Sequence, residues 1–248
     1  MADRPLAMLL DKVPGRALAV YAHPDDPEIS CGGTLARWAA EGAEVHLLLL
    51  ARGEKGSADP AADPDELALR RAAEVEAAAA VLGLAGWTRL DHGDGELSNT
   101  AELRAEIVAA VRRARPDVVV CPDPTAVFFG ETYFNHRDHR EAGWATLDAV
   151  SPAAGSPHYF PEAGPAHAVG QVLLSGTLEP NAWVDVSRTL ETKIKALLCH
   201  ESQLQAAAFG HEGGTAEWLA SLLRQRAEDS GRLAGTLHAE GFRRLLLA

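Results

Sequence analysis

Short apolar runs alternate with longer helix-forming stretches along most of the chain. Residues 16–21 (RALAVY), 44–50 (EVHLLLL) and 118–121 (VVVC) are apolar almost throughout, the pattern of strands buried on both faces of a parallel sheet. Residues 87–90, 171–175 and 183–186 read as further strands. Helices are predicted at 34–40, 65–82, 101–114, 139–149, 190–208, 217–226 and 237–247. The second is framed by Asp63 as cap, Pro64 in the first turn and Gly83 at the end. The proline-rich stretch 151–165 predicts an irregular excursion, and 210–214 a flexible one. This alternation predicts an α/β fold: a Rossmann-like, mostly parallel sheet with helices on both faces and a small C-terminal extension. The whole chain reads as a single domain, 1–248, with its core at about 14–150 and strands and helices of 166–248 packed on it. In such sheets ligands bind beyond the carboxyl ends of the strands, and the polar clusters here follow the strands at that end.

Composition narrows the partners. A formal charge of −12 over 248 residues lacks the basic face that a nucleic-acid backbone requires. No apolar stretch reaches the roughly 18 residues of a membrane span, and the N-terminus has no signal-peptide core. Cys31, Cys121 and Cys199 are far apart and odd in number, which suits a reducing cytoplasm better than a disulfide framework. The expected partner is therefore a small molecule.

Two clusters carry chemistry. His23-Pro24-Asp25-Asp26-Pro27-Glu28 places one imidazole and three carboxylates directly after the first strong strand. Asn135-His136-Arg137-Asp138-His139-Arg140 places two imidazoles around a carboxylate, just before a helix. Two imidazoles and one carboxylate are a common ligand set for a catalytic divalent ion with one position left open, and the surplus acids can act as base and support. Residue types alone leave other readings open. A His-x-Asp followed by a distant His also fits a non-haem iron oxygenase, although strand–helix alternation differs from the all-β barrel usual for that triad. A non-catalytic sugar- or nucleotide-binding module is the third reading, though GxGxxG is absent.

At these residues the sequence resembles the LmbE-like, or PIG-L-type, zinc-dependent N-deacetylases. Ala22–Glu28 matches A-H-P-D-D-x-E, 32–36 matches G-G-T-[LI]-A, and 136–139 matches H-x-D-H with Arg137 where many members have Pro. The likeness runs on through the EKG loop at 54–56, DGEL at 94–97 and RPDVVV at 115–120. It implies a hydrolase that removes an N-acetyl group from an amino-sugar-containing small molecule or glycoconjugate, using Zn2+, with Fe2+ as the alternative ion. It further implies that His23, Asp26 and His139 bind the metal and that Asp25 is the general base. His136 would polarise the amide carbonyl, Asp138 would hold the orientation and charge of His136, and Glu28 would stand behind the ligands. Arg71, Asp94 and Arg52 are the implied substrate contacts; for Arg71 the plain alternative is a surface ion pair with Glu74. The family often forms homo-oligomers. One departure is Phe134, where some members have a catalytic Tyr; Tyr133 is its neighbour.

Overall fold

The computed structural model describes residues 8–207 and 215–247. An eight-stranded sheet forms the centre, built from β1 (Met8–Leu9), β2 (Arg16–Tyr21), β3 (Glu44–Ala51), β4 (Gly86–His92), β5 (Val118–Pro122), β8 (Gln171–Ser175), β9 (Ala182–Asp185) and β10 (Ala239–Leu246). A separate two-stranded hairpin pairs β6 (Phe128–Phe129) with β7 (Tyr133–Phe134). The helices are α1 (Asp26–Ala40), α2 (Pro64–Leu82), α3 (Ala101–Ala114), α4 (Arg137–Asp148), α5 (Leu190–Leu197), α6 (Glu201–Ala207) and α7 (Thr215–Ala234).

The strand order is β1-β9-β10-β8-β5-β2-β3-β4. Strands β8, β5, β2, β3 and β4 run parallel, and β10 is antiparallel to both of its neighbours. The predicted mostly parallel α/β sheet is therefore present. The chain steps outward from β2 through β3 to β4, then returns to lay β5 on the other side of β2. That reversal makes a crevice at the carboxyl ends of β2 and β5, where the sequence places its two polar clusters.

Alternation along β2 explains the double-sided core. Leu18 and Val20 pack with Ile107, Val108 and Ala142 of α3 and α4, whereas Ala17, Ala19 and Tyr21 pack with Leu35, Trp38 and Val75 of α1 and α2. The predicted caps of α2 are present: Asp63 accepts from the amides of Asp65 and Glu66, and Gly83 closes the helix at φ +74°. Helix α4 lies close against the end of β5, since a Cβ on Gly143 would stand 2.5 Å from the Pro122 carbonyl oxygen.

Four elements differ from their predicted form. The helix expected at 34–40 starts at Asp26 and bends at Cys31 (φ −145°), so the acidic cluster lies on its first turn. The helix expected at 190–208 is two helices, α5 and α6, broken before Glu201; residue 208 lies outside the described residues, as do 210–214. The helix expected at 217–226 extends over Thr215–Ala234. The helix expected at 237–247 is strand β10, lodged between β8 and β9. Its Leu- and Arg-rich sequence has good helix propensity, but an open sheet edge on each side supplies backbone partners that override it. Among the described residues no helix is long and apolar enough to cross a membrane.

Candidate active site

Asp25 occupies a left-handed backbone conformation, φ +86°, immediately before α1. Few non-glycine residues adopt it, and here it turns the chain sharply between strand and helix. The turn separates the two neighbouring carboxylates. Asp26 points to the imidazoles: its Oδ1 is 3.0 Å from His139 Nε2, and its Oδ2 is 3.5 Å from His23 Nδ1 and accepts the His23 amide at 2.8 Å. Asp25 points the other way, to Arg71 Nη2 at 3.4 Å.

The second ring nitrogen of each histidine is already engaged. His23 Nε2 lies 3.1 Å from both Asp94 Oδ1 and Asp138 Oδ2, which accept its proton, and Nδ1 faces Asp26, where it would offer its lone pair to a bound cation. His139 Nδ1 meets Asn135 Oδ1 at 3.0 Å, which leaves Nε2 as the lone-pair donor beside Asp26. His136 caps α4 by accepting the Asp138 amide at Nδ1, 3.2 Å, so its proton sits on Nε2. The three rings stand 5.0–5.4 Å apart, centre to centre. Nitrogens of His23, His136 and His139 lie within 4.8 Å of one another, as do ligand atoms of His23, Asp94 and Asp138.

This nitrogen and carboxylate donor set, with its outer nitrogens fixed by carboxylates and an amide, suits a divalent ion such as zinc or ferrous iron. The electrostatics carry the same message. Burial disfavours a charged His23, yet the hydrogen bonds it donates to Asp138, Asp26 and Asp94 outweigh it and push its pKa up to about 12. Burial likewise opposes ionisation of Asp26, but His139 and then His23 hold it well below the usual carboxylate range. Burial raises Asp25 to about 6, Arg71 opposes the rise and Asp26 adds to it. Burial and the charge of His23 lower His136.

Residues 18–150, more than half the chain, match the PIG-L family, described as GlcNAc-PI de-N-acetylase. The chain belongs to the PIG-L family. A PIG-L relative, the diacetylchitobiose deacetylase of Thermococcus kodakarensis, is 37% identical over 92% of this chain and 82% of its own. The 1D-myo-inositol 2-acetamido-2-deoxy-alpha-D-glucopyranoside deacetylase of Rhodococcus jostii is 32% identical over 79% of this chain and 84% of its own. The solved N,N'-diacetylchitobiose deacetylase from Pyrococcus horikoshii superposes with a TM-score of 0.83 at 28% identity, covering 94% of this chain and 84% of that one.

Within this PIG-L frame the structure brings His23, Asp25, Asp26, Asp94, His136, Asp138 and His139 together. It redirects three side chains. Asp138 does not turn to His136: its carboxylate takes His23 Nε2 and the amides of Gly95 and Leu97. Arg71 is buried instead of paired with Glu74, donating to the carbonyls of Gly53 and Pro24 beside Asp25; Glu74 instead receives Ser202 and Arg70. Arg52 pairs with Asp65, Asp91 and Glu54. Glu28 is buried against His200, Nε2 to Oε2 3.4 Å.

Two supporting residues have a part in the site that the sequence does not assign them, Asn135 beside His139 and His200 beside Glu28. Asn135 could have been suspected from its spacing, four residues before His139 on the same approach to α4. His200 could not, because only the tertiary fold brings the α5–α6 junction beneath Asp25. A cavity of about 680 Å3 opens onto Asp26 and His139 and continues along Phe129, Tyr133, the β8–β9 loop and α7.

Proposed function

We propose that this chain hydrolyses the N-acetyl group of an amino-sugar-containing small molecule, with a divalent metal, zinc by preference, held by His23, Asp26 and His139. The observation that carries this reading is the convergence of those three side chains from two separate loops, with Asp25 held beside them. The named activities of the Thermococcus and Rhodococcus relatives supply the reaction class. When bound, the ion supplies a Lewis acid that makes hydroxide available near neutral pH.

The remaining steps belong to the side chains. Asp25 takes a proton from the attacking water as oxygen bonds to the amide carbon. Arg71 keeps Asp25 ionised and aimed. His136 presents its Nε2 proton to the carbonyl oxygen as negative charge develops there. Breakage of the carbon–nitrogen bond releases acetate, and the proton held by Asp25 passes to the departing amine. Asp94 and Asp138 hold the His23 ring in its tautomer. The three free cysteines suit action in the cytoplasm.

The deciding experiment measures amine release from N,N'-diacetylchitobiose before and after chelation. Activity should vanish with chelator and return with zinc. Asp25→Asn should bind zinc normally and lose about 10²–10⁴-fold in kcat. A variant of Asp25 with undiminished turnover would remove it from the base role.

A further inference from the structure

The cavity is larger than an acetamido group requires and falls in the range that holds drug-sized ligands. Its α7 wall is formed by Leu223, Arg226, Ala227, Asp229 and Ser230, all but Asp229 on one helical face at the i, i+3, i+4, i+7 spacing. Charges along the lining are mostly satisfied. Lys193 is buried against Glu240 at 2.6 Å. Asp229 is taken by Arg232 at 2.6 Å, and the neighbouring Glu228 by the same guanidinium at 3.6 Å. Arg226 differs: among the described residues its guanidinium has no ion pair and no hydrogen bond, although it lines the cavity beside two acids on its own helix.

We propose that Arg226 makes the α7 wall a carboxylate-binding subsite, so that the chain prefers amino-sugar conjugates bearing one negative charge over neutral ones. The inference rests on the deacetylase reading for the end of the ligand at Asp26 and His139. A planar guanidinium matches a carboxylate with two parallel hydrogen bonds. A single unpaired cation balances one charge, and nearby Glu228 and Asp229 disfavour a dianion such as a phosphate monoester. The chain's formal charge of −12 does not prevent this, because repulsion from distant acids is screened beyond about 8 Å at physiological salt. Phe129 and Tyr133 of the β6–β7 hairpin supply the apolar surface beside the subsite. Burial raises the Tyr133 phenol, and the charge of Arg226 is among those opposing that rise, which places the two within electrostatic reach.

Three ligands isolate the charge: N,N'-diacetylchitobiose, the same disaccharide with a lactyl ether on O3 of the reducing sugar (N-acetylglucosaminyl-N-acetylmuramic acid), and the lactamide of the latter. Calorimetric binding to zinc-loaded Asp25→Asn protein reads affinity without turnover. The acid should bind about tenfold more tightly than its amide, and the preference should shrink in about 0.5 M salt. Adding Arg226→Ala should bring acid and amide within about twofold, and Arg226→Lys should keep part of the difference. With Arg226→Ala alone, the ratio of kcat/KM for the acid to that for its amide should fall to about one. Equal binding of acid and amide, or a preference that survives Arg226→Ala, overturns the subsite. Loss of the activity reading looks different: the wild type would then fail to deacetylate any of the three while still binding the acid preferentially.

Discussion

Asp25 and Asp26 are adjacent in sequence and opposite in behaviour. One carboxylate lies against a guanidinium and is raised to about 6, whereas the other lies between two imidazoles and is held low. A base acts only when ionised, so kcat/KM should fall as pH drops below about 6. Arg71→Met removes the charge that opposes this rise, and the acid limb should move to higher pH; an unmoved limb would exclude Arg71 from tuning the base. Asn135→Ala frees the His139 ring at Nδ1 and should weaken zinc about 10–100-fold, read by competition with a chromophoric chelator. At this scale the two polar clusters pointed to side chains that do come together, whereas Arg52, also expected at the site, lies with Asp65, Asp91 and Glu54. The sequence could not disclose which partner each one faces. Asp138 lies two residues from His136 yet reaches His23, since the first turn of α4 offers His136 an amide and sends the Asp138 carboxylate inward.

Helix α1 shows how a distant element supports the acidic loop. Its bend at Cys31 restarts the helix, and Glu240 of β10 accepts the amides of Gly33 and Thr34 there while pairing with buried Lys193. Glu240→Ala leaves a buried cation alone and should cost about 3–5 kcal/mol in denaturant unfolding. Glu240→Gln should cost less. None of this is legible from residues 237–247, whose Leu-Leu-Leu run has no two-residue alternation. By contrast, 101–114 and 171–175 were predicted with the bounds they have, because capping residues or abrupt polarity changes mark both ends.

For the molecule as a whole, a cation held among the crowded acids and imidazoles would be linked to folding, because it would bind the folded arrangement and not the unfolded chain. Zinc at about a thousand times its dissociation constant should stabilise the fold by ~4 kcal/mol, measured as a rise in Tm that His139→Ala abolishes. The overall architecture was readable because strand–helix alternation and right-handed crossovers leave few arrangements for β2 to β5. The C-terminal part was not, because a strand that enters between two others obeys no local rule. That entry orders events during biosynthesis. Among the described residues, β9, with β1 parallel to it, joins the rest of the sheet through β10, which follows all the other described strands in sequence. Until residues 239–246 emerge, the nascent protein exposes the bare edge of β8, and the cavity lacks the wall formed by Ala239, Glu240 and Gly241. A ribosome-stalled chain ending before Ala239 should therefore carry every side chain proposed for catalysis and still be unable to retain its ligand.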